Sequence, residues 1–382
     1  MKKLLLSLIA FGFINLLDAQ IKDVSSEPYN FKVTNIQPST PVKNQAVTGT
    51  CWSFTLKSFF ESELIRAGKG EHDLSEMFTV RYNYINRVND NYLKLGKGNL
   101  AEGSLTQMAL NVMDQYGMVP EEVYNGINYN SKTHNHRELN RFVNAIAQVP
   151  IDLKTKSPEY KKLLNSLLDI YLGPVPETFN YRGKEYTPKT FLQELGLKTE
   201  NYVQLTSFNH HPFYTDFALE IPDNWNSGRF HNLPLDEFIQ VIDYALENGH
   251  TVSWGGDMSE KSYSDEVGIA VNATKEELDS EEGRKLSFSR IYKEAPVTQE
   301  SRQHGFETFV TTDDHLMHLI GKGKDSQGTV YYIVKNSWKP EINRFGGYNF
   351  LSLNYVRAKT VYMMVHKDAV PAGILSKLKG VK

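Results

Sequence analysis

The feature that most restricts how this chain can fold is its cysteine count. With only Cys51 in 382 residues, no disulfide can form within the chain, so a buried apolar core must hold the structure together. The length suits either one large domain or two lobes sharing a cleft. Hydrophobic residues at 40% and charged residues at 23% are the balance of a globular protein rather than a disordered one. A formal charge of −3, without a long basic stripe, gives no electrostatic reason to expect nucleic acid as a partner.

The hydrophobic period changes along the chain. After a polar lead (21 to about 40), Trp52, Phe54, Leu56, Phe59, Phe60 and Leu64 recur close to helical spacing, and Gly68 supplies a stop. Leu74-Ser75-Glu76 opens a second helical run, with Glu76 as a helix-start or supporting residue. Ser104-Leu-Thr-Gln107 reads as a capping box for a helix ending at Gly117. Ser157-Pro158 and Thr187-Pro188 start two more helices, and 234–248 is strongly amphipathic. The acidic-basic run 274–285 reads as a solvated loop or helix. From residue 250 onward short β-branched and aromatic runs take over, at 251–254, 329–334, 348–351 and 360–365. The expected order is a helical lobe (21–129), a mixed insertion (130–249), a β-rich lobe (250–371) and a tail (372–382): an α+β fold.

The N-terminus stands apart. Met1-Lys2-Lys3 is basic, Leu4 to Leu17 is almost wholly apolar, and Asp18-Ala19-Gln20 returns to polar chain. This is the layout of a signal peptide covering residues 1–20, too short for a spanning helix. The expected destination is the periplasm or the medium.

Cys51 begins a helix, where unpaired N–H groups and the positive end of the dipole favour a thiolate. A thiolate nucleophile needs a histidine as partner, a group to orient that histidine, and donors for an oxyanion. The Cys51 N–H can supply one donor and Gln45, six positions upstream, the other. Thr311-Thr-Asp-Asp-His-Leu-Met-His318 offers His315 and His318. His315 is preferred, since His318 lies three residues further along a strand and should face away from a cleft. Asn336, at the end of a strand and followed by Ser337 and Trp338, suits the orienting role, with Trp338 as its cover. A neutral amide accepts the imidazole N–H without quenching its charge.

The segment Gln45 to Phe54, with His315 and Asn336-Ser337-Trp338 downstream in that order, resembles the papain-like cysteine peptidases. Leu74-Ser75-Glu76 and Gly346-Gly347-Tyr348 are similar to two further motifs of that family. Roughly 260 positions separate Cys51 from His315, far more than in a typical papain. This spacing, with Trp254-Gly-Gly-Asp257 and Val370-Pro371, resembles the bleomycin hydrolase and aminopeptidase C branch. The resemblance implies a two-lobe papain-like fold with Cys51 as nucleophile, His315 as acid and base, Asn336 as orienting amide and Gln45 as oxyanion donor. It implies a peptide substrate, no metal or organic cofactor, and by analogy a hexamer. It also implies that the terminal carboxylate of Lys382 meets the substrate's α-amine in the cleft. Thr48 stands where secreted papains carry a disulfide cysteine, and the branch is largely cytosolic, unlike a chain with a signal peptide.

Two other readings stay open: an endopeptidase on the same fold, and a peptide-binding homologue without activity. His210-His211 lacks the spacing of a metal motif and reads as surface or packing. Asn272-Ala-Thr274 is a glycosylation sequon of the kind that arises by chance.

Overall fold

The computed structural model describes residues 27–282 and 284–381. The segment read as a signal peptide lies outside these residues, as does Lys382. Among the described residues no helix is long and apolar enough to cross a membrane.

One helix, Cys51–Arg66, organises the molecule. Every residue from Cys51 to Leu64 is buried, polar ones included, so this is not an amphipathic surface helix with one dry face. It lies between two cores and packs along the strand His315–Lys324. On one side a helical lobe is built from Glu76–Leu93, Thr106–Tyr116, Arg137–Asp152 and Pro158–Leu172, whose apolar faces share one core with the central helix. On the other side is a sheet in which His315–Lys324 is central. It pairs antiparallel with Val252–Gly256 and with Val330–Lys335, and Lys32–Ile36 pairs with its far end. The amphipathic helix Leu235–Glu247 covers this sheet through Phe238, Ile239, Ile242 and Leu246. Each such side chain contributes about 1.5–3 kcal/mol by leaving water.

Several expectations differ in detail. The helix read from Ser104 starts at Thr106, with Leu105 at the cap position and no side-chain cap. The Ser104 hydroxyl instead accepts a hydrogen bond from Trp225 Nε1 at 3.2 Å. Arg137–Asp152 was not anticipated. It carries Pro150, and only a narrow stripe of Leu139, Val143, Ala147 and Pro150 is buried. The strand Lys32–Ile36 falls within the polar lead, and Tyr202–Thr206, Asp216–Ala218 and Arg229–Asn232 extend the sheet from before residue 250. The run 274–285 contains a short helix, Lys275–Ser280, capped by Thr274.

Register positions the site. Val330–Lys335 pairs with His318 opposite Lys335, so the first residue past this strand, Asn336, emerges beside the start of the histidine strand. His315 in turn sits opposite Gly256. Two glycines in the neighbouring strand are required by close approach. A Cβ on Gly255 would strike the Tyr362 ring, and one on Gly256 would strike the carbonyl of Lys359.

Candidate active site

A cleft of about 400 Å³ lies where the helical lobe meets the sheet. Gln45, Cys51, His315 and Trp338 line it together with Gly49, Gly103, Asp223 and Asp313. Cys51 enters it from the first position of the central helix, and His315 from the first position of its strand.

The hydrogen bonds fix the orientation of each group. Asn336 Nδ2 donates to Asp265 Oδ1 at 2.8 Å, which turns Oδ1 toward the imidazole, 2.7 Å from His315 Nε2. An amide oxygen accepts only from a protonated nitrogen, so Nε2 carries hydrogen and Nδ1 is left for the thiol. The Trp338 ring lies parallel to the imidazole, 5° between planes and 5.8 Å between centroids, and shields this hydrogen bond from water. Burial alone would push His315 toward the neutral form. The negative charge of a Cys51 thiolate, hydrogen bonds with Cys51 and Asn336, and the Asp265 carboxylate outweigh it and hold His315 above the ordinary histidine range.

Gln45 is held at both ends of its amide. Ser337 Oγ donates to its Oε1, and its Nε2 donates to Thr48 O at 2.8 Å. Its backbone N–H also donates to Ser337 O at 2.9 Å. The second Nε2 hydrogen remains available to the cleft. The turn between Gln45 and Cys51 closes through hydroxyls, with Thr48 Oγ1 donating to Gln45 O at 2.9 Å and lying 2.6 Å from Thr50 Oγ1.

His318 stays out of the cleft. It is fully buried, with Nδ1 2.7 Å from Ser58 Oγ on the central helix, and burial with the nearby Lys335 charge holds it neutral. The tail packs elsewhere too. Ile374 and Leu378 are buried in the core beneath the amphipathic helix, and Lys377 pairs with Glu237 at 2.6 Å. None of the described tail residues lines the cleft. His210 and His211 share Glu220 at 3.2 and 2.6 Å on the surface, which a hydrogen-bonded cluster explains.

Sequence reasoning missed Asp265 and Asp223. Asp265 gathers Tyr263 OH at 2.8 Å, Asn336 and Asn349 Nδ2 at 3.0 Å. Asp223 belongs to the inserted region, and its carboxylate lies where a Cβ on Gly103 would be. Its loop is firmly tied down. Asn99 Nδ2 donates to Pro222 O at 2.8 Å, Lys94 Nζ to Trp225 O at 2.6 Å, and the Arg87 guanidinium lies over the Trp225 ring. The Trp254-Gly-Gly-Asp257 motif, by contrast, was visible and now has a physical role. Asp257 accepts from Thr312 N at 2.8 Å and from Ser259 N at 2.9 Å, fixing the loop that precedes His315.

This constellation, on a two-lobe α+β fold with the thiol on the helix and the imidazole on the sheet, is that of a papain-like cysteine peptidase. The chain belongs to the Peptidase C1-like family, whose model matches residues 13–381. Aminopeptidase C of Streptococcus thermophilus is 25% identical over 379 residues, covering 87% of this chain and 81% of that protein. Aminopeptidase C of Lactococcus lactis subsp. cremoris is 24% identical over 370 residues, covering 86% and 81%. The crystal structure of PepW from Lactobacillus rhamnosis matches with a TM-score of 0.71 at 18% identity, covering 95% of this chain and 86% of that one, and shares the fold.

Proposed function

We propose that this chain is an exported aminopeptidase that hydrolyses peptides through a thioester on Cys51. The observation that carries the chemistry is the placement of His315, between Cys51 and an Asn336 that Asp265 has oriented. The Cys51 thiolate attacks the scissile carbonyl carbon, a C–S bond forms, and the carbonyl electrons move to oxygen. The Gln45 Nε2–H and the Cys51 N–H stabilise that oxyanion. His315 gives its Nδ1 proton to the leaving amine as the C–N bond breaks. It then takes a proton from water, whose oxygen attacks the thioester and releases the acid with the thiolate restored. No metal or organic cofactor enters any of these steps.

The aminopeptidase reading rests on the relatives named Aminopeptidase C and on Asp223, which closes one wall of the cleft over Gly103. The described tail lies away from the cleft-lining residues, and this favours keeping the endopeptidase as a second reading. Export rests on the basic, apolar and polar segments at 1–20. The test is cleavage of a free and an N-acetylated peptide pair by the mature protein. An aminopeptidase cleaves the free member far better. Equal cleavage of the two makes the protein an endopeptidase.

A further inference from the structure

Four carboxylates surround the loop before His315, and three have partners. Asp257 accepts from Thr312 N and Ser259 N, Asp314 accepts from Met258 N at 2.9 Å, and Asp223 lies 3.9 Å from the Arg87 guanidinium. Asp313 has none. It lines the cleft, yet its Oδ1 is closed off from water with no hydrogen bond. A carboxylate oxygen closed off without a partner is unfavourable unless the group takes a proton or finds a cation. Burial, followed by the negative charges of Asp223, Asp314 and Asp257, accordingly holds Asp313 far above the ordinary carboxylate range.

A second buried polar group packs over Gly255, whose strand partner Leu316 lines the cleft. Tyr362 is fully buried and its hydroxyl also lacks a partner. After burial, the charges acting most on that hydroxyl are those of Asp313, Cys51 and Asp223, all lining the cleft. Tyr362 holds this position because Gly255 has no side chain to displace it. Asp313 thus offers the cleft a carboxylate with no donor of its own, which suits a donor carrying positive charge. Leu316 adds apolar surface beside it.

We propose that Asp313, with Asp223, binds a cationic nitrogen of the peptide substrate beside Cys51. The ligand chemistry is an alkylammonium or guanidinium group, and it has two possible sources: the substrate's own α-ammonium, or a lysine or arginine side chain next to the scissile residue. The proposal builds on the peptidase reading above. With an α-ammonium it assigns to the body of the fold the charge recognition that the resemblance places on the chain terminus. Arrival of the cation would drive the bound proton off Asp313.

The test compares the native mature protein with Asp313→Asn and, as a second variant, Asp223→Asn, each checked for a native melting transition. The substrates are leucyl-coumarylamide, N-acetyl-leucyl-coumarylamide, and acetylated dipeptidyl coumarylamides with Arg or norleucine before leucine. If the α-ammonium is the ligand, Asp313→Asn lowers the free-to-acetylated ratio of kcat/KM by about 10–100-fold, the scale of one charge-assisted contact. If a side chain is the ligand, that ratio holds while the Arg-to-norleucine ratio falls by the same factor. If Asp313→Asn and Asp223→Asn leave both ratios within twofold of native, the proposal is wrong. A second readout does not need turnover: protection of Cys51 from iodoacetamide by leucinamide against N-acetyl-leucinamide, and by acetyl-argininamide against acetyl-norleucinamide. If both pairs protect equally in the native protein, there is no cation site, even if the peptidase reading holds. If protection is selective but no substrate is cleaved, the cation site stands and the peptidase reading fails.

Discussion

In the proposed mechanism Gln45 depends on hydrogen bonds made elsewhere on its own amide. With Oε1 held by Ser337 and one Nε2 hydrogen held by Thr48, the remaining hydrogen needs no reorganisation when an oxyanion forms. Replacing Gln45 by Ala should therefore lower kcat by about 10²–10³ with little change in KM. An unchanged kcat with a raised KM would make Gln45 a ground-state binding residue only. Asp265 acts at one remove, through Asn336 and through its charge. His315 is held above its ordinary value, so its imidazolium survives to higher pH, and the proposed mechanism predicts that activity falls as pH rises through that value. Asp265→Asn removes a charge that raises His315, so the alkaline fall in the kcat/KM profile should move to lower pH. An unmoved alkaline limb would leave Asp265 a purely structural role. The residues that meet at the candidate site, Cys51, His315, Asn336 and Gln45, could be picked out in the sequence because the chemistry expected of each is one that few residue types can perform. Asp265 and Asp223 could not, because an isolated aspartate gains meaning only from the groups that folding places beside it.

The central helix illustrates the same limit for an element. Its apolar spacing was readable, but its burial on all sides was not, since that depends on a polar network inserted between the lobes. Lys43 pairs with Glu76 at 2.7 Å and lies 3.7 Å from Glu61. Glu61 accepts from Leu74 N at 2.9 Å and from the Thr40 hydroxyl, and Lys335 Nζ donates to Thr40 O at 2.6 Å. The lead segment, the helix and the sheet meet in this one cluster. Removing Glu61 leaves the Leu74 N–H and the Thr40 hydroxyl without their acceptor and takes away the carboxylate whose charge acts most on the buried Lys335, while Lys43 keeps Glu76, so Glu61→Ala should cost about 3–5 kcal/mol in denaturant unfolding. A loss below about 1 kcal/mol would show that water replaces the carboxylate at no cost. Ser75, by contrast, was readable at the helix start. It caps Glu76–Leu93 by accepting from Phe78 N at 3.1 Å. Short-range capping is written locally, whereas lobe-to-lobe pairing is not.

For the molecule as a whole, the order of helices before strands was visible in the change of period, and the two-lobe α+β fold agrees with it. Tyr202–Thr206, Asp216–Ala218 and Arg229–Asn232 escaped notice because they are three to five residues long and gain their identity only by joining the sheet. Burial also stores a pH dependence. It is the chief cause holding His134 at about 4 and His136 at about 3, with Lys43 and His134 adding to it respectively, and it keeps His318 well below its usual value. These histidines stay neutral when folded but take up protons once unfolded, so stability is lost as pH falls below about 6.5. Each contributes a slope of up to about 1.4 kcal/mol per pH unit. In urea titrations from pH 6.5 to 4, His136→Gln should be flatter than the native protein by about that slope. Parallel curves would mean that His136 titrates normally in the folded state.

The central claim is that peptide hydrolysis passes through a thioester at Cys51, made and resolved by His315. The direct measurement is intact and peptide-level mass spectrometry of the mature protein, acid-quenched within milliseconds of mixing with an activated aminoacyl ester. The account predicts one acyl increment, located on the peptide containing Cys51, absent from Cys51→Ala and strongly reduced in His315→Ala. An increment on another residue, or steady turnover by Cys51→Ala, would contradict it.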